Sequence, residues 1–308
     1  CCSCMSELRW KSFRETELNK YLYKENYFFG NMSNLNRIDL ANLIFDKLNA
    51  EKETLKAQFQ NNPTGIRYFF IDALLPESVA LQIAEVFPQP EAMVLKKSLR
   101  ENKYVAAQMN LYHPLLEEII YAFQDKRIVE LIGDICNISK PIPDENLYAG
   151  GISAMGKNQF LNPHLDNSHD KDRQRWRVLN LLYYVTPDWQ EENGGNLELW
   201  PNGLEAEPII IYSKFNRLAV METHNQSLHS VSPVVVDDVR RCVSNYYFSE
   251  TPLLATDTFH VTSFRGRPEN KLADVLLRAD TFLRMCLRKV FKKGVRENPH
   301  VYKKDRKA

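Results

Sequence analysis

Asn162-Pro163-His164-Leu165-Asp166-Asn167-Ser168 is the stretch on which the reading of this chain turns. At its centre an imidazole and a carboxylate stand two residues apart, at His164 and Asp166. Residues i and i+2 of a strand project to the same face, so both side chains can enter one cavity. A second histidine from a distant strand would complete a facial set of two nitrogens and one oxygen. That set suits ferrous iron with coordination positions left open. In a chain with seven histidines a lone His-x-Asp arises by chance, so the rest of the sequence has to give it weight.

Downstream, His229 lies in Ser227-Leu-His-Ser-Val-Ser-Pro233, and Arg240-Arg-Cys-Val-Ser-Asn-Tyr-Tyr-Phe248 follows as a strand-like run. Alternation puts Arg240, Cys242, Ser244 and Tyr246 on one face, with Arg241, Val243, Asn245 and Tyr247 on the other. A slip of one residue exchanges the faces, so the choice between Arg240 and Arg241 rests on register. An arginine buried at the head of a strand needs an anion, because an unpaired buried charge is costly. Its guanidinium pairs bidentately with carboxylates, which makes a dicarboxylate cosubstrate a natural guest.

Residues 147–155, 178–186, 196–200, 208–212, 217–222 and 240–248 are short β-rich runs separated by Gly, Pro, Asn and Asp, the texture of a sandwich or barrel. Ahead of them, helical periodicity covers 37–60, 76–87, 114–123 and 127–136, with a short apolar strand at 68–71. Behind them a loop holding Arg265-Gly-Arg-Pro268 leads to a helix over 270–290. Its stripe of Leu272, Val275, Leu276, Ala279, Leu283, Cys286 and Val290 reads as a buried face. The fold class expected is α+β with a mainly β core. Residues 1–31 read as a poorly ordered extension, with Met32 a plausible natural start. Residues 32–146 read as a helical and strand support region, 147–252 as the core, and 253–308 as a C-terminal loop, helix and basic tail. Together 32–308 make one domain.

With 308 residues and a formal net charge of +1, nothing calls for nucleic acid or an acidic membrane as partner. No apolar run approaches the roughly 18 residues of a membrane span. Six cysteines are too scattered for a disulfide framework. Cys136, Cys242 and Cys286 read as buried thiols, and Cys1, Cys2 and Cys4 lack the spacing of a zinc site. A reducing cytoplasm is the expected compartment. His113, His169, His224, His260 and His300 have no ligand-like context and read as surface or structural.

In order and spacing, residues 148–248 resemble the catalytic core of the iron(II)- and 2-oxoglutarate-dependent dioxygenases, in the prolyl 4-hydroxylase-like branch. The matching elements are His164-x-Asp166, His229 and Arg240, together with Arg177-Val-Leu-Asn-Leu-Leu-Tyr-Tyr184, Asp188-Trp189, Gly194-Gly-Asn-Leu-Glu-Leu-Trp-Pro201 and Phe215-Asn-Arg-Leu-Ala-Val220. The turn between His229 and Arg240 is slightly longer than in close relatives of that branch. Arg240 is preferred to Arg241 because it turns Tyr246 inward, where the family has an aromatic residue.

The resemblance implies a double-stranded β-helix, or jelly roll, flanked by N-terminal helices and a C-terminal helix. His164, Asp166 and His229 would be the catalytic residues and the ligands of Fe(2+). Arg240 would bind the distal carboxylate of 2-oxoglutarate with help from the Tyr184 hydroxyl. From the residues themselves, Tyr184 also reads as a core aromatic, Asn180 shares its face and can line the pocket, and Arg177 reads equally as a substrate contact or as a salt bridge on the jelly-roll rim. Dioxygen is the oxidant, with ascorbate as an auxiliary reductant. The reaction implied is hydroxylation of a C–H bond in a prolyl residue or a small molecule, with release of succinate and carbon dioxide. The alternatives are a jelly roll that binds metal or 2-oxoglutarate without turnover, as sensor or scaffold, and a zinc hydrolase, which would have no use for Arg240. Neither the substrate nor the oligomeric state is legible in the residues.

Overall fold

The computed structural model describes residues 35–62, 65–290 and 301–302. The expected extension over 1–31, His300 and nearly all of the basic tail lie outside the described residues.

Helices come first. α1 (Arg37–Ala50) starts at a capping box in which Asn36 accepts from the Ile38 and Asp39 amides, and α2 (Lys52–Gln60) follows it. The single helical segment expected over 37–60 is thus broken at Glu51, whose φ of −106° and ψ of 9° leave the helical region. α3 (Glu77–Glu85) follows Pro76, and α4 (Pro114–Ala122) and α5 (Lys126–Ile135) form the second helical pair.

The strands are β1 (Tyr68–Ile71), β2 (Val94–Lys97), β3 (Glu101–Ala106), β4 (Ile142–Pro143), β5 (Gly151–Met155), β6 (Phe160–Leu165), β7 (Trp176–Tyr184), β8 (Leu197–Leu199), β9 (Ile209–Ile211), β10 (Arg217–Glu222), β11 (His229–Val231), β12 (Arg240–Ser249) and β13 (Ser263–Phe264). β10, β7, β12 and β5 are hydrogen-bonded neighbours in that order, and so are β6, β11, β8 and β9. All these pairings are antiparallel. From β5 to β12 the chain crosses repeatedly between the two four-stranded sets, which is the connectivity of a double-stranded β-helix. β3 pairs with both β5 and β6 and joins the sets at one side, while β1 extends the first set beyond β10.

β7 shows why this sequence takes this form. Leu179, Leu181 and Tyr183 pack outward in one core with Leu40, Ile44 and Leu48 of α1, Ile119 and Ile120 of α4, and Ile132 of α5. Leu182 and Tyr184, one residue out of phase, pack inward with Leu197, Leu199, Ala219 and Cys242. A strand buried on both faces can afford no polar side chain without a partner or a task. β7 carries Asn180 on its inner face.

Gly151 sits at the joint between the sets with φ of +135°. A Cβ there would lie 2.3 Å from the Ala106 carbonyl oxygen. Gly151→Ala is expected to destabilise the fold by about 1–3 kcal/mol, through strain and overpacking together. A thermal melt lowered by several degrees would show it, and an unchanged melt would contradict it.

The C-terminal helix, α6 (Lys271–Val290), departs from expectation in its orientation. Ala273 and Leu277 are its buried residues, whereas Leu272, Val275, Leu276 and Leu283 are exposed. Cys286 is also exposed and is not the buried thiol expected; Cys136 and Cys242 are buried. Ion pairs dock the helix in place of its apolar stripe: Asp274 holds Arg265 at 2.6 Å, and Asp280 holds Arg100 and Arg284 at 3.0 and 2.9 Å.

Candidate active site

β6 and β11 lie side by side with His229 directly opposite His164, and their rings are 4.2 Å apart between centroids. Each ring is fixed by a backbone carbonyl: His164 Nδ1 is 2.9 Å from the Asn162 oxygen, and His229 Nδ1 is 2.9 Å from the Ser227 oxygen. A carbonyl only accepts, so each Nδ1 carries the proton and each Nε2 keeps a free lone pair. Both lone pairs turn toward Asp166, one residue beyond the end of β6. His164 Nε2 is 3.6 Å from Oδ1, and His229 Nε2 is 3.7 Å from Oδ2. One ligand atom from each of the three residues falls within 4.8 Å of the others. Phe264 of β13 stacks on His164 at 5.0 Å and backs the ring.

Arg177, read either as a substrate contact or as a rim salt bridge, sets Nη1 3.3 Å from Asp166 Oδ1 and lies over the Tyr246 ring at 4.4 Å. Asp166 Oδ2 is buried and accepts no hydrogen bond among the described residues. Burial works against the carboxylate charge, but the Arg177 guanidinium and the two imidazoles overcome it, keeping Asp166 well below the usual carboxylate range. Burial, and after it the neighbouring His164, lower His229 to about 4. An ionised carboxylate and a neutral imidazole are the forms that bind a divalent metal. The donor set therefore fits Fe(2+). Because Arg177 orients the carboxylate, Arg177→Gln is expected to weaken iron binding roughly 10- to 100-fold. Titration of the apoprotein with Fe(II) under argon checks this, and an unchanged affinity would remove Arg177 from the role.

A second group of polar atoms lies around Arg240. β12 pairs with β5 and β7 so that Arg240 faces the interior, at 3% exposure. Its Nε is 3.3 Å from Ser213 Oγ, its guanidinium lies 4.7 Å from the centre of the Tyr184 ring, and its Nη2 has no partner. The Tyr184 hydroxyl lies near Ser213 and Arg240 without closing a hydrogen bond to either. Arg241 is half-buried, and its amide bonds to Thr186 Oγ1. Gly195, at φ of +67°, clears the Arg240 stem, since a Cβ there would stand 3.2 Å from Arg240 Cγ. Asn180 pairs across from Tyr246, and its Oδ1 is also buried without a partner.

These groups share one cavity of about 560 Å³, lined by His164, Asp166, His229, Arg177, Asn180 and Arg240 among others. Tyr184 stands behind Arg240 and is not part of the lining. Sequence reading missed Ser213, a lone serine in a loop. It also missed the network under β11, in which Trp200 Nε1 donates to Ser230 Oγ at 2.7 Å and Ser230 donates to Glu198 Oε2 at 2.5 Å. Arg267 closes that network on Glu198 at 2.9 Å. His224 pairs with Glu222 at 3.3 Å, away from the ligand set, and His113 caps α4. His169 is buried, lines the cavity and is lowered to about 3 by burial and then by Arg177.

Residues 150–249 match the family model described as the 2OG-Fe(II) oxygenase superfamily. Over this core, about a third of its length, the chain is similar to that superfamily. The match supports an enzyme of the 2-oxoglutarate-dependent oxygenase class. No curated protein sequence matches the chain. Among solved structures it is similar to a Trichoplax adhaerens prolyl hydroxylase bound to a hypoxia-inducible factor peptide, at 20% identity over 65% of this chain and 92% of that one, with a TM-score of 0.47. A prolyl 4-hydroxylase from Phytophthora capsici aligns at 16% identity over 84% of this chain and 81% of its own, with a TM-score of 0.49. HygX from Streptomyces hygroscopicus, with nickel, 2-oxoglutarate and hygromycin B, aligns at 12% identity over 68% and 90%, with a TM-score of 0.43.

Proposed function

We propose that this oxygenase hydroxylates an unactivated C–H bond, with Fe(2+) held by His164, Asp166 and His229 and with 2-oxoglutarate held by Arg240. The observation that carries the reading is the pairing of two incomplete groups in one cavity. One is a buried N,N,O donor set with its lone pairs turned inward; the other is a buried guanidinium without a carboxylate. A molecule with a metal-chelating end and a free carboxylate end completes both.

Bound iron supplies the site where dioxygen is reduced at the expense of 2-oxoglutarate. The balance is R–H plus 2-oxoglutarate plus dioxygen giving R–OH plus succinate plus carbon dioxide, with one oxygen atom going to each of alcohol and succinate. The protein's own part is to orient and exclude. The Asn162 and Ser227 carbonyls aim the imidazoles, Arg177 turns Asp166, and Ser213 with Tyr184 aims Arg240. Leu161, Leu197 and Val231 make apolar wall in the same cavity, where charge–charge contacts gain strength.

The substrate class is a prolyl residue or a small molecule, the first on the motif resemblance to the prolyl 4-hydroxylase-like branch. Residues 147–252 are proposed as the catalytic core within a single domain over 32–308, because β1 and β3 from the N-terminal region are strands of the same sheet. Ascorbate as stimulating reductant and the cytoplasm as compartment belong to the same reading. Among the described residues no helix is long and apolar enough to cross a membrane.

The deciding experiment is anaerobic loading with Fe(II) and 2-oxoglutarate, admission of oxygen, and measurement of succinate. Slow uncoupled release that rises with substrate is expected. Tight binding of 2-oxoglutarate with no succinate under any condition would instead make the protein a sensor or scaffold.

A further inference from the structure

The cavity holds more positive charge than iron and 2-oxoglutarate account for. Arg240 answers the distal carboxylate of 2-oxoglutarate, and Arg177 answers Asp166. Two other groups of charges face the same space, one on the β2–β3 hairpin and one where its turn meets α6. On the β2–β3 hairpin, Lys96 stands across from Lys103, and both act on the single carboxylate of Glu101, with Lys103 Nζ at 3.2 Å. At the hairpin's turn, Arg100 shares the single carboxylate of Asp280 on α6 with Arg284 of the same helix, with Nε contacts of 3.0 and 2.9 Å. Each trio has two cations on one anion and so keeps one positive charge. Lys96, Lys103, Arg100 and Arg284 all line the cavity that contains the ligand set, and Glu101 is close enough to act on His164.

Burial holds Arg284 below the usual arginine range, and the Arg100 guanidinium adds to it; burial likewise lowers Lys96. Folding that gathers four cations around a cavity and supplies two carboxylates costs free energy, which a bound anion returns. The arrangement is also fixed by structure. β3 pairs with β5 and β6, and Arg284 is pinned by the Thr262 carbonyl at 2.7 Å.

We propose that the substrate is a small molecule bearing a carboxylate or phosphate, held between Lys96, Arg100 and Lys103 of the β2–β3 hairpin and Arg284 of α6 with its reacting C–H toward His164 and His229. The volume of about 560 Å³ is that of a small-molecule pocket, enough for a compact substrate beside 2-oxoglutarate. The inference rests on the oxygenase reading above, and it names what that reading leaves open.

The test is calorimetric titration of the full chain, loaded with Fe(II) and saturating 2-oxoglutarate under argon at fixed ionic strength. Inorganic phosphate is the probe in one arm and citrate in the other, which separates the two anion chemistries. At least one probe is expected to bind, and to bind roughly tenfold more weakly in Lys96→Gln and in Arg284→Gln, as loss of a half-buried charge contact requires. Among the described residues Lys96 has no ion pair within 4 Å to lose, and Arg284→Lys keeps the charge, so that variant should restore binding if the fold of Arg284→Gln is disturbed. Binding of neither probe overturns the inference. So does binding that both glutamine variants leave unchanged, which would mark an adventitious ion only. The 2-oxoglutarate titration is read separately: its failure in the parent protein sinks the oxygenase reading itself.

Discussion

His229→Ala is expected to fold, to lose its iron, and to release no succinate above background. The side chain is 3% exposed and makes one hydrogen bond, to the Ser227 carbonyl, so truncation costs a net of about 1 kcal/mol from that bond. The small cavity left behind adds to this, and a modest drop in melting temperature follows. The effect on the metal is far larger. With one nitrogen gone, only His164 and Asp166 remain of the set, and binding should fall by more than the roughly 10- to 100-fold typical of losing a mere supporting residue. Metal content after anaerobic gel filtration and succinate release together make the measurement. His164→Ala should behave alike, with a further loss of packing because Phe264 stacks on that ring. His224→Ala serves as the contrast: it removes the contact with Glu222 and should lower stability while iron stays bound. Retention of stoichiometric iron and parental succinate release by either ligand variant would overturn the assignment.

Arg240→Met should move two quantities in opposite directions. The KM for 2-oxoglutarate should rise by about 30-fold or more, since losing one partner of a buried charged pair costs roughly 2–5 kcal/mol. Stability without 2-oxoglutarate should stay level or increase. The guanidinium is buried with Nη2 unpartnered, no carboxylate forms an ion pair with it among the described residues, and methionine would fill much of the same space without a charge to desolvate. Arg241→Met, on the neighbouring face, should leave the KM for 2-oxoglutarate within about twofold, because Arg241 is half-buried and does not line the cavity. Steady-state kinetics in 2-oxoglutarate and a melt of the apoprotein read both sides. A normal KM in Arg240→Met, or a raised one in Arg241→Met alone, would put the strand register of the site in error.

Local pattern carries a large part of this molecule. The alternation in Arg177-Val-Leu-Asn-Leu-Leu-Tyr-Tyr184 marks a strand buried on both faces, with Asn180 the polar exception that points at the cavity. The same logic places Arg240 and Tyr246 together on β12. Where polar chemistry lines a cavity, the pattern fails. Residues 94–106, rich in Lys, Arg, Glu and Asn, have no apolar alternation, yet they form β2 and β3, because their inward side chains face the site and not a core. β6 was hidden for a related reason, with Asn162 and Pro163 in its middle. On α6 the apolar stripe predicts a buried face, whereas Asp274 and Asp280 turn the helix through long-range ion pairs that no helical period contains.

By itself the sequence determined the apolar core strands such as β7, β10 and β12, the spacing of His164, Asp166 and His229, and the match to an oxygenase core, since each follows from side-chain periodicity and residue type within short windows. Tertiary structure alone decided which atoms meet. The Asn162 and Ser227 carbonyls choose the imidazole nitrogens, Ser213 and Gly195 shape the space for Arg240, Arg177 faces Asp166, and two distant segments bring four cations to one cavity. Those contacts join residues far apart in the chain, and their energies depend on burial and distance, which exist only once the sheets have closed.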